Sequence, residues 1–432
     1  MAHIAIIGAG ITGITTAYGL LDHGHEVTVF ERHRYVAMET SFANGGQLSA
    51  SNAEVWNHPS TLLKGLRWMF KNDAPLLLNL KPSWHKYSWL AEFIGQIPHY
   101  RSNTIATVRL ALEARRLLFA IAEREGIDFN LEKRGILHIY RDRESFQHAS
   151  NVNVLLQEGG LERHAVTAEE IKTIEPAIRG DYYGGFFTPS DATGDIHKFT
   201  QTLAAACRRR GARFICDAHV KQLSVAESGV SLRWRNLTSE RIEVEETTTD
   251  AVVICAGVAS RQFAAMLGDR VNVYPVKGYS ITVHLDDAIS REAAPWVSVL
   301  DDETKIVTSR LGSDRFRVAG TAEFNGFNYD IRSDRVRPLV AWMRRLFPGV
   351  STARLVPWAG LRPMMPNMLP RMGPGCRPGV FYNTGHGHLG WTLSAATARI
   401  VADVVEACLR SRLSIRPGVL VTPSGRPVSQ TH

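Results

Sequence analysis

Apolar residues come in short bursts at the start of the chain. Ile4 to Ile7 is an unbroken β-rich run, Ala17, Leu20 and Leu21 follow at helical spacing, and Val27 to Phe30 is a second run. The pattern predicts strand, tight turn, helix and strand between His3 and Glu31, with Gly24 ending the helix. Ser102 to Glu125 carries the spacing of a long amphipathic helix, which Gly126 terminates. Strands are expected at Gly135 to Tyr140 and Gly185 to Thr188. A helix over His197 to Arg210, closed by Gly211, and a strand from Arg213 to Cys216 then return to the first domain. Val220 to Trp234 and Ile242 to Glu245 alternate like an antiparallel pair, and Asp250 to Gly257 reads as a buried strand ending on glycine. Tyr279 to Leu285, Lys305 to Ser309 and Arg315 to Thr321 suggest a mostly antiparallel second sheet. Gly385 to Gly390 opens a long helix through about Leu409, and the chain after Arg412 reads as a loosely held tail. The fold class is α/β, α+β over the whole chain.

Length and composition narrow the picture. A chain of 432 residues exceeds the usual size of one core, so two domains are expected, and 44% hydrophobic with 21% charged residues excludes wholesale disorder or a fibrous repeat. Cys207, Cys216, Cys255, Cys376 and Cys408 form no CxxC pair, which fits neither a disulfide framework nor a zinc site, and no metal is expected. The chain enters its first strand without a basic leader, and no run of about eighteen apolar residues is present, so neither a signal peptide nor a spanning helix is expected. The formal charge of +8 is spread along the chain rather than gathered in a stripe, which argues against nucleic acid. A cytoplasmic location is expected, with weak peripheral contact at the inner face of the cell membrane as its variant. Trp56, Trp68, Phe70, Trp84, Tyr87, Trp89 and Phe93, broken by Pro59, Pro75 and Pro82, read as short helices whose rings serve core or lid packing, lipid headgroup contact being the alternative.

The chemistry begins at Gly8-Ala9-Gly10-Ile11-Thr12-Gly13. This is GxGxxG placed between a strand and a helix: Gly8 permits the turn, Gly10 lets backbone approach a pyrophosphate, and Gly13 allows close helix-strand packing. The helix N-terminus adds N–H groups and positive dipole for the phosphates. Glu31, ending the second strand, suits ribose hydroxyls and repels a 2′-phosphate, which argues against NADP without choosing between NAD and FAD. The polar loop Glu39 to Ser51 is expected against the cofactor.

Motifs farther along choose FAD. Glu39-Thr-Ser-Phe-Ala-Asn-Gly-Gly-Gln-Leu-Ser49, Trp68-Met-Phe, Val273-Tyr-Pro-Val-Lys-Gly-Tyr-Ser280, Gly360-Leu-Arg-Pro-Met364 and Asn383-Thr-Gly-His-Gly-His-Leu-Gly-Trp-Thr392 follow in one order. On these motifs the chain resembles the D-amino acid oxidase superfamily of flavoproteins, and within it the bacterial D-amino acid dehydrogenases of the small-subunit type, over nearly its whole length. The resemblance implies a Rossmann-type FAD-binding domain of the glutathione-reductase kind from residues 1–75, 151–265 and 355–432. A substrate-binding domain on a mostly antiparallel sheet would comprise residues 76–150 and 266–354. It further implies FAD contacts from Gly8, Gly10, Ile11, Thr12, Gly13, Glu31 and Arg32; from Thr40, Ser41, Asn44, Gly46, Gln47 and Leu48; from Val220, Ala256, Gly257 and Gly360; and from Gly385, Gly387, His388, Leu389, Gly390, Trp391 and Thr392. Independently of it, glycines at 385–390 before a helix make an anion-tolerant N-terminus suited to a reduced flavin.

In Gly-Leu-Arg-Pro the superfamily places the arginine that forks onto a substrate carboxylate, which here is Arg362; a planar guanidinium both attracts and orients such a group. Tyr279 reads either as a second substrate contact or as a packed ring. His386, ahead of His388, reads either as a flavin or substrate contact or as a partner for backbone carbonyls. The reaction implied is hydride transfer from the α-carbon of a D-amino acid to flavin N5, giving an imino acid that water hydrolyses to a 2-oxo acid and ammonia, with a quinone or oxygen as electron acceptor. N-substituted or cyclic amino acids, glycine and iminodiacetate-like compounds are the alternative substrates, and a flavin-bearing electron-transfer subunit is the alternative of another class. Asn367 stands where relatives commonly carry Asp, so a change in local electrostatics or in substrate preference is expected there.

Overall fold

The computed structural model describes residues 1–59, 76–79, 81–238 and 243–415, the last four by their backbone. Trp68, Phe70, Pro75, Ile242 and the tail after Ile415 lie outside the described residues.

The first burst of apolar residues forms strand His3–Ile7 at the centre of a six-stranded sheet. Its pleat divides the burial: Ile4 and Ile6 enter the core under helices Ile11–Asp22, Ile196–Arg209 and Gly390–Ile415, while Ala5 and Ile7 face the core on the other side. Burial on both faces is why the run is continuous rather than alternating. From one edge the order is Arg371–Pro374, Val380–Thr384, Ala251–Ile254, His3–Ile7, Glu26–Phe30 and Arg213–Ile215, all pairs parallel except the first. Over one face of it lies an antiparallel three-stranded sheet. The expected single run Val220 to Trp234 is in fact two of its strands, Ala218–Ala226 and Gly229–Asn236, turning at Gly229 with φ 132°, and the third is Val244–Thr249.

The second lobe is built on a nine-stranded, mostly antiparallel sheet. It runs from the edge strand Leu355–Met364 through Tyr274–His284, Arg315–Phe324, Ile306–Leu311, Ser298–Asp301, Ile136–Tyr140 and Gly184–Thr188 to His164–Val166, with Leu76–Leu78 joining Arg315–Phe324 from the side. Strand Leu355–Met364 escapes a reading from propensity because Pro357 and Pro363 interrupt it; at a sheet edge the missing N–H groups cost no ladder bond. Helices Arg143–Glu158 and Ser333–Leu346 are likewise unforeseen, the second holding Pro338 within it.

Strand pairing redraws the expected domain limits. Residues 355–364, and strands His164–Val166 and Gly184–Thr188 from the segment 151–265, pair in the large sheet. Helix Tyr100–Glu125, expected with the substrate lobe, sends Leu118 and Ala122 into the core beneath the parallel sheet. Tertiary burial, not chain order, assigns each segment. No helix among the described residues is long and apolar enough to cross a membrane. The aromatic stretch divides: Trp89 and Phe93 are buried, Trp56 lines a cavity, and Trp84 and Tyr87 are exposed.

Candidate active site

A cavity of about 450 Å³ runs between the lobes, from the C-terminal ends of the parallel strands to the large sheet. At the first end the Gly8 N–H donates to Phe30 O at 2.8 Å, closing the turn between strand and helix. A Cβ on Gly13 would stand 1.9 Å from Gly8 O, so only glycine lets the helix start this close to the strand. The Glu31 carboxylate is buried and accepts from the Ala9 N–H at 2.7 Å and the His33 N–H at 2.9 Å, which aims it at the same turn. Arg32 forms an ion pair with Glu39. Val220, Ala256 and Gly257 complete this end.

The loop expected against the cofactor is tied at many points. Thr40 Oγ1 donates to Leu361 O at 2.9 Å, Ser41 Oγ accepts from the Ile11 N–H at 3.0 Å, and Gly46 N–H donates to Asn44 Oδ1 at 2.9 Å. Gln47 Nε2 donates to Ser298 Oγ at 2.7 Å, and the N–H groups of Ala50 and Ser51 both donate to the buried Asp191 carboxylate at 3.0 Å. Gly385, Gly387, His388, Leu389 and the N-terminal residues Gly390, Trp391 and Thr392 of the last helix also line the cavity, and Thr392 Oγ1 joins them to the loop by accepting from the Ser49 N–H at 3.2 Å.

Arg362 projects at the far end. Its strand pairs it with Val276, and its guanidinium lies across Gly278, where a Cβ would meet Cζ at 2.3 Å. Nη1 donates to Thr321 O at 2.9 Å. Thr321 sits at a register shift with φ 60°, a conformation a β-branched residue rarely takes, and its own hydroxyl is buried without a partner. Burial lowers the Arg362 pKa to about 10, so the charge persists at neutral pH, and no acidic side chain among the described residues forms an ion pair with it. His388 is nearby: burial and then the Arg362 charge lower its pKa to about 4, its ring stacks on Trp56 at 4.9 Å, and Nε2 faces Asn52 O at 3.4 Å. That carbonyl only accepts, which places the proton on Nε2 and leaves a lone pair on Nδ1, a buried atom with no partner.

Four expected contact residues are engaged within the protein. The Tyr279 ring borders the cavity, but its hydroxyl donates to Glu323 Oε2 at 2.8 Å inside a buried cluster where Lys277 meets Glu323 at 2.9 Å. The Tyr279 hydroxyl is thus engaged by Glu323, as the packed-ring alternative expects. His386 Nε2 is engaged with Thr397 Oγ1 at 2.9 Å, and burial lowers its pKa to about 3, so it is a neutral strut of the loop. Gly13 and Leu48 do not line the cavity; the first packs against Gly8 and the second lies in the core. Asn367 also lies off the cavity: its Oδ1 accepts from the Leu369 N–H at 3.2 Å, so the exchange for Asp acts on a local turn. The other expected residues, Ile11, Thr12, Ser41 and Gly360 among them, border the cavity.

A family model described as FAD dependent oxidoreductase matches residues 3–404. The chain belongs to this FAD-dependent oxidoreductase family. D-amino acid dehydrogenase 3 of Mesorhizobium japonicum is 62% identical to this oxidoreductase over 409 residues, covering 95% of this chain and 98% of the relative. D-amino acid dehydrogenase of Paramagnetospirillum magneticum is 40% identical, covering 93% of this chain and 94% of the relative. Among solved structures, glycine oxidase from Geobacillus kaustophilus superposes with a TM-score of 0.73 at 22% identity, over 94% of this chain and 95% of the other, a likeness of fold.

FAD is the cofactor of this oxidoreductase, and the cavity fits it. A Cβ on Gly10 would meet only Ser41 Oγ, at 3.3 Å, so the space over that residue is open cavity rather than protein. Trp391 Nε1 and His388 Nδ1 are buried, border the cavity and have no protein partner, as groups awaiting a polar ligand do. Sequence motifs did not reveal Gly278 or Thr321 as supports of Arg362, nor the polar residues His138, Tyr140, Arg163 and Lys305 that line the cavity farther on. Gly278 lay within a quoted motif and could have been found as the neighbour that a flat guanidinium requires; the others carry no local signal.

Proposed function

We propose that this oxidoreductase catalyses oxidative deamination of a D-amino acid, with Arg362 clamping the α-carboxylate. The observation that carries this reading is a buried guanidinium, uncompensated by any acidic side chain among the described residues, at the end of an FAD-sized cavity. A desolvated, unpaired charge is costly unless a ligand supplies its partner, and a carboxylate matches its fork. The names of the relatives, D-amino acid dehydrogenases at 62% and 40% identity, support the substrate class.

FAD, when bound, accepts the hydride of the substrate α-carbon, and the imino acid that leaves is hydrolysed by water to a 2-oxo acid and ammonia. The chain's own residues hold and orient. Gly8, Gly10, Thr12 and the start of helix Ile11–Asp22 would hold the pyrophosphate, and Glu31 the ribose hydroxyls. Loop residues Thr40 to Gln47 and the helix start at Gly390 would flank the flavin ring, the helix N-terminus favouring negative charge there. Arg362, braced by Thr321 O and Gly278, fixes the substrate's pose, so most of the rate comes from positioning in a preorganised field. The amine enters the site as a neutral group, and its lone pair forms the C=N bond as the hydride leaves; His388, held neutral by burial and the Arg362 charge, adds no competing cation there. The electrons go on to a quinone or another acceptor. Exposed Trp84 and Tyr87 on helix Trp84–Gly95 support contact with a membrane surface.

The test is anaerobic mixing of the FAD-loaded protein with D-amino acids, L-amino acids, glycine, sarcosine and hydroxyproline. Loss of the visible flavin absorbance with D-amino acids is expected. Reduction by a secondary amine or glycine alone would replace the D-amino acid reading.

A further inference from the structure

The cavity that Arg362 borders also has a polar branch, lined by His138, Tyr140, Arg163 and Lys305, which meet one another through hydrogen bonds and charge. Arg163 is only 4% exposed. Its Nη2 donates to the Tyr140 hydroxyl at 3.3 Å and its Cζ lies 4.6 Å from the centre of the Phe186 ring, but Nε has no hydrogen-bond partner. No carboxylate among the described residues forms an ion pair with it; the Tyr140 hydroxyl and the Phe186 ring face are its close partners there. Lys305 protrudes into the same branch, half of its side-chain surface accessible although protein surrounds it.

Two carboxylates face this branch as well, and both have donors. Asp302 is paired with Lys305 at 2.5 Å, and Glu54 accepts from the Tyr100 hydroxyl at 2.6 Å. The unmet group is therefore a cation. His138, whose Nε2 meets Ser51 Oγ at 2.9 Å, is held neutral by burial and then by the charge of Arg163, so it adds no competing charge.

The branch is close to the Arg362 end. Ser51 touches His138, and the next residue, Asn52, touches His388, which senses the charges of both Arg362 and Lys305. The charges of Arg163 and Lys305 both reach His138 and those of Arg362 and Lys305 both reach His388, so the two ends share one electrostatic neighbourhood. With the α-carboxylate on Arg362, a substrate side chain of a few bonds extends toward Arg163.

We propose that Arg163, with Tyr140 and Lys305, forms a second anion subsite, so that the preferred substrate is a D-amino acid with a carboxylate side chain. This rests on the reading of Arg362 as the α-carboxylate clamp. A buried fork that finds its partner only on the substrate discriminates strongly, because a neutral side chain leaves it unpaired.

The test compares anaerobic flavin reduction of the FAD-loaded enzyme by D-glutamate, D-aspartate, D-alanine, D-leucine and D-arginine, in the wild type and in Arg163→Leu, Arg163→Lys and Lys305→Met. In the wild type, kcat/KM for D-glutamate or D-aspartate should exceed that for the neutral substrates by about tenfold or more. Arg163→Leu should lose at least about 30-fold more on the anionic substrate than on D-alanine, with Arg163→Lys between the two. Equal or faster reduction by neutral or cationic D-amino acids, or equal losses on all substrates, overturns the subsite while leaving the deamination reading intact. Reduction by no D-amino acid at all overturns both. If Arg163→Leu fails to retain flavin, Lys305→Met decides: a loss selective for the anionic substrate supports the subsite, and a uniform one overturns it.

Discussion

At the scale of single residues, the site depends on how Arg362 is held. Arg362→Ala should lower kcat/KM by about 2–5 kcal/mol, affecting KM and kcat together, with flavin content unchanged. Gly278→Ala should produce much of the same loss without touching the arginine, because the new Cβ would occupy the space of the guanidinium. Steady-state kinetics of a Gly278→Ala enzyme indistinguishable from wild type would show that Arg362 has room to move. Tyr279 gives the contrast. Its hydroxyl serves Glu323, which keeps Lys277 at 2.9 Å when the phenol is gone. Tyr279→Phe should cost about 1–2 kcal/mol of stability in denaturant melts and leave kcat/KM within about twofold. Arg362 was legible from Gly-Leu-Arg-Pro, whereas the roles of Tyr279 and His386 were not, since a motif does not say which way a side chain turns.

At the scale of elements, the turn between the first strand and helix separates two uses of glycine. Gly13 abuts Gly8 O, so Gly13→Ala should prevent the helix from seating and yield protein of lowered melting temperature that retains little flavin. Gly10 faces open cavity, so Gly10→Ala should fold normally and bind FAD about tenfold more weakly, by ~1.4 kcal/mol. A fluorescence titration with FAD checks both; undiminished affinity in Gly10→Ala would mean the phosphates do not approach that backbone. The strand-helix-strand opening was readable because each element is buried on faces its own pattern announces. Strand Leu355–Met364 was not, since its prolines signal a loop until the edge position is known.

At the scale of the molecule, three cavity histidines are held neutral. Burial lowers His386 to about 3 and His388 to about 4, and holds His138 well below its ordinary value. Each folded pKa lies below the unfolded value of about 6.5, so the unfolded chain binds more protons in acid. Stability from these groups is complete above pH ~6.5 and is lost as pH falls toward the folded values, at about 1.4 kcal/mol per pH unit for each fully buried histidine. Melting temperatures measured from pH 8 to pH 5 should fall on the acid side, and His386→Gln should reduce that slope by one proton. An unaltered slope in the variant would remove His386 from this account.

The sequence by itself determined the dinucleotide turn, the acid that follows it and the family, and it singled out Arg362, because these are encoded in contiguous spacing that survives without knowledge of neighbours. Tertiary structure alone decided the lobe to which residues 151–190 and 355–364 belong, the bracing of Arg362 by Gly278 and Thr321, and the placing of Arg163 and Lys305 on the lining of one cavity. Sheet pairing brings together residues more than a hundred positions apart, and a charge's lack of a partner becomes visible only when every neighbour is in place.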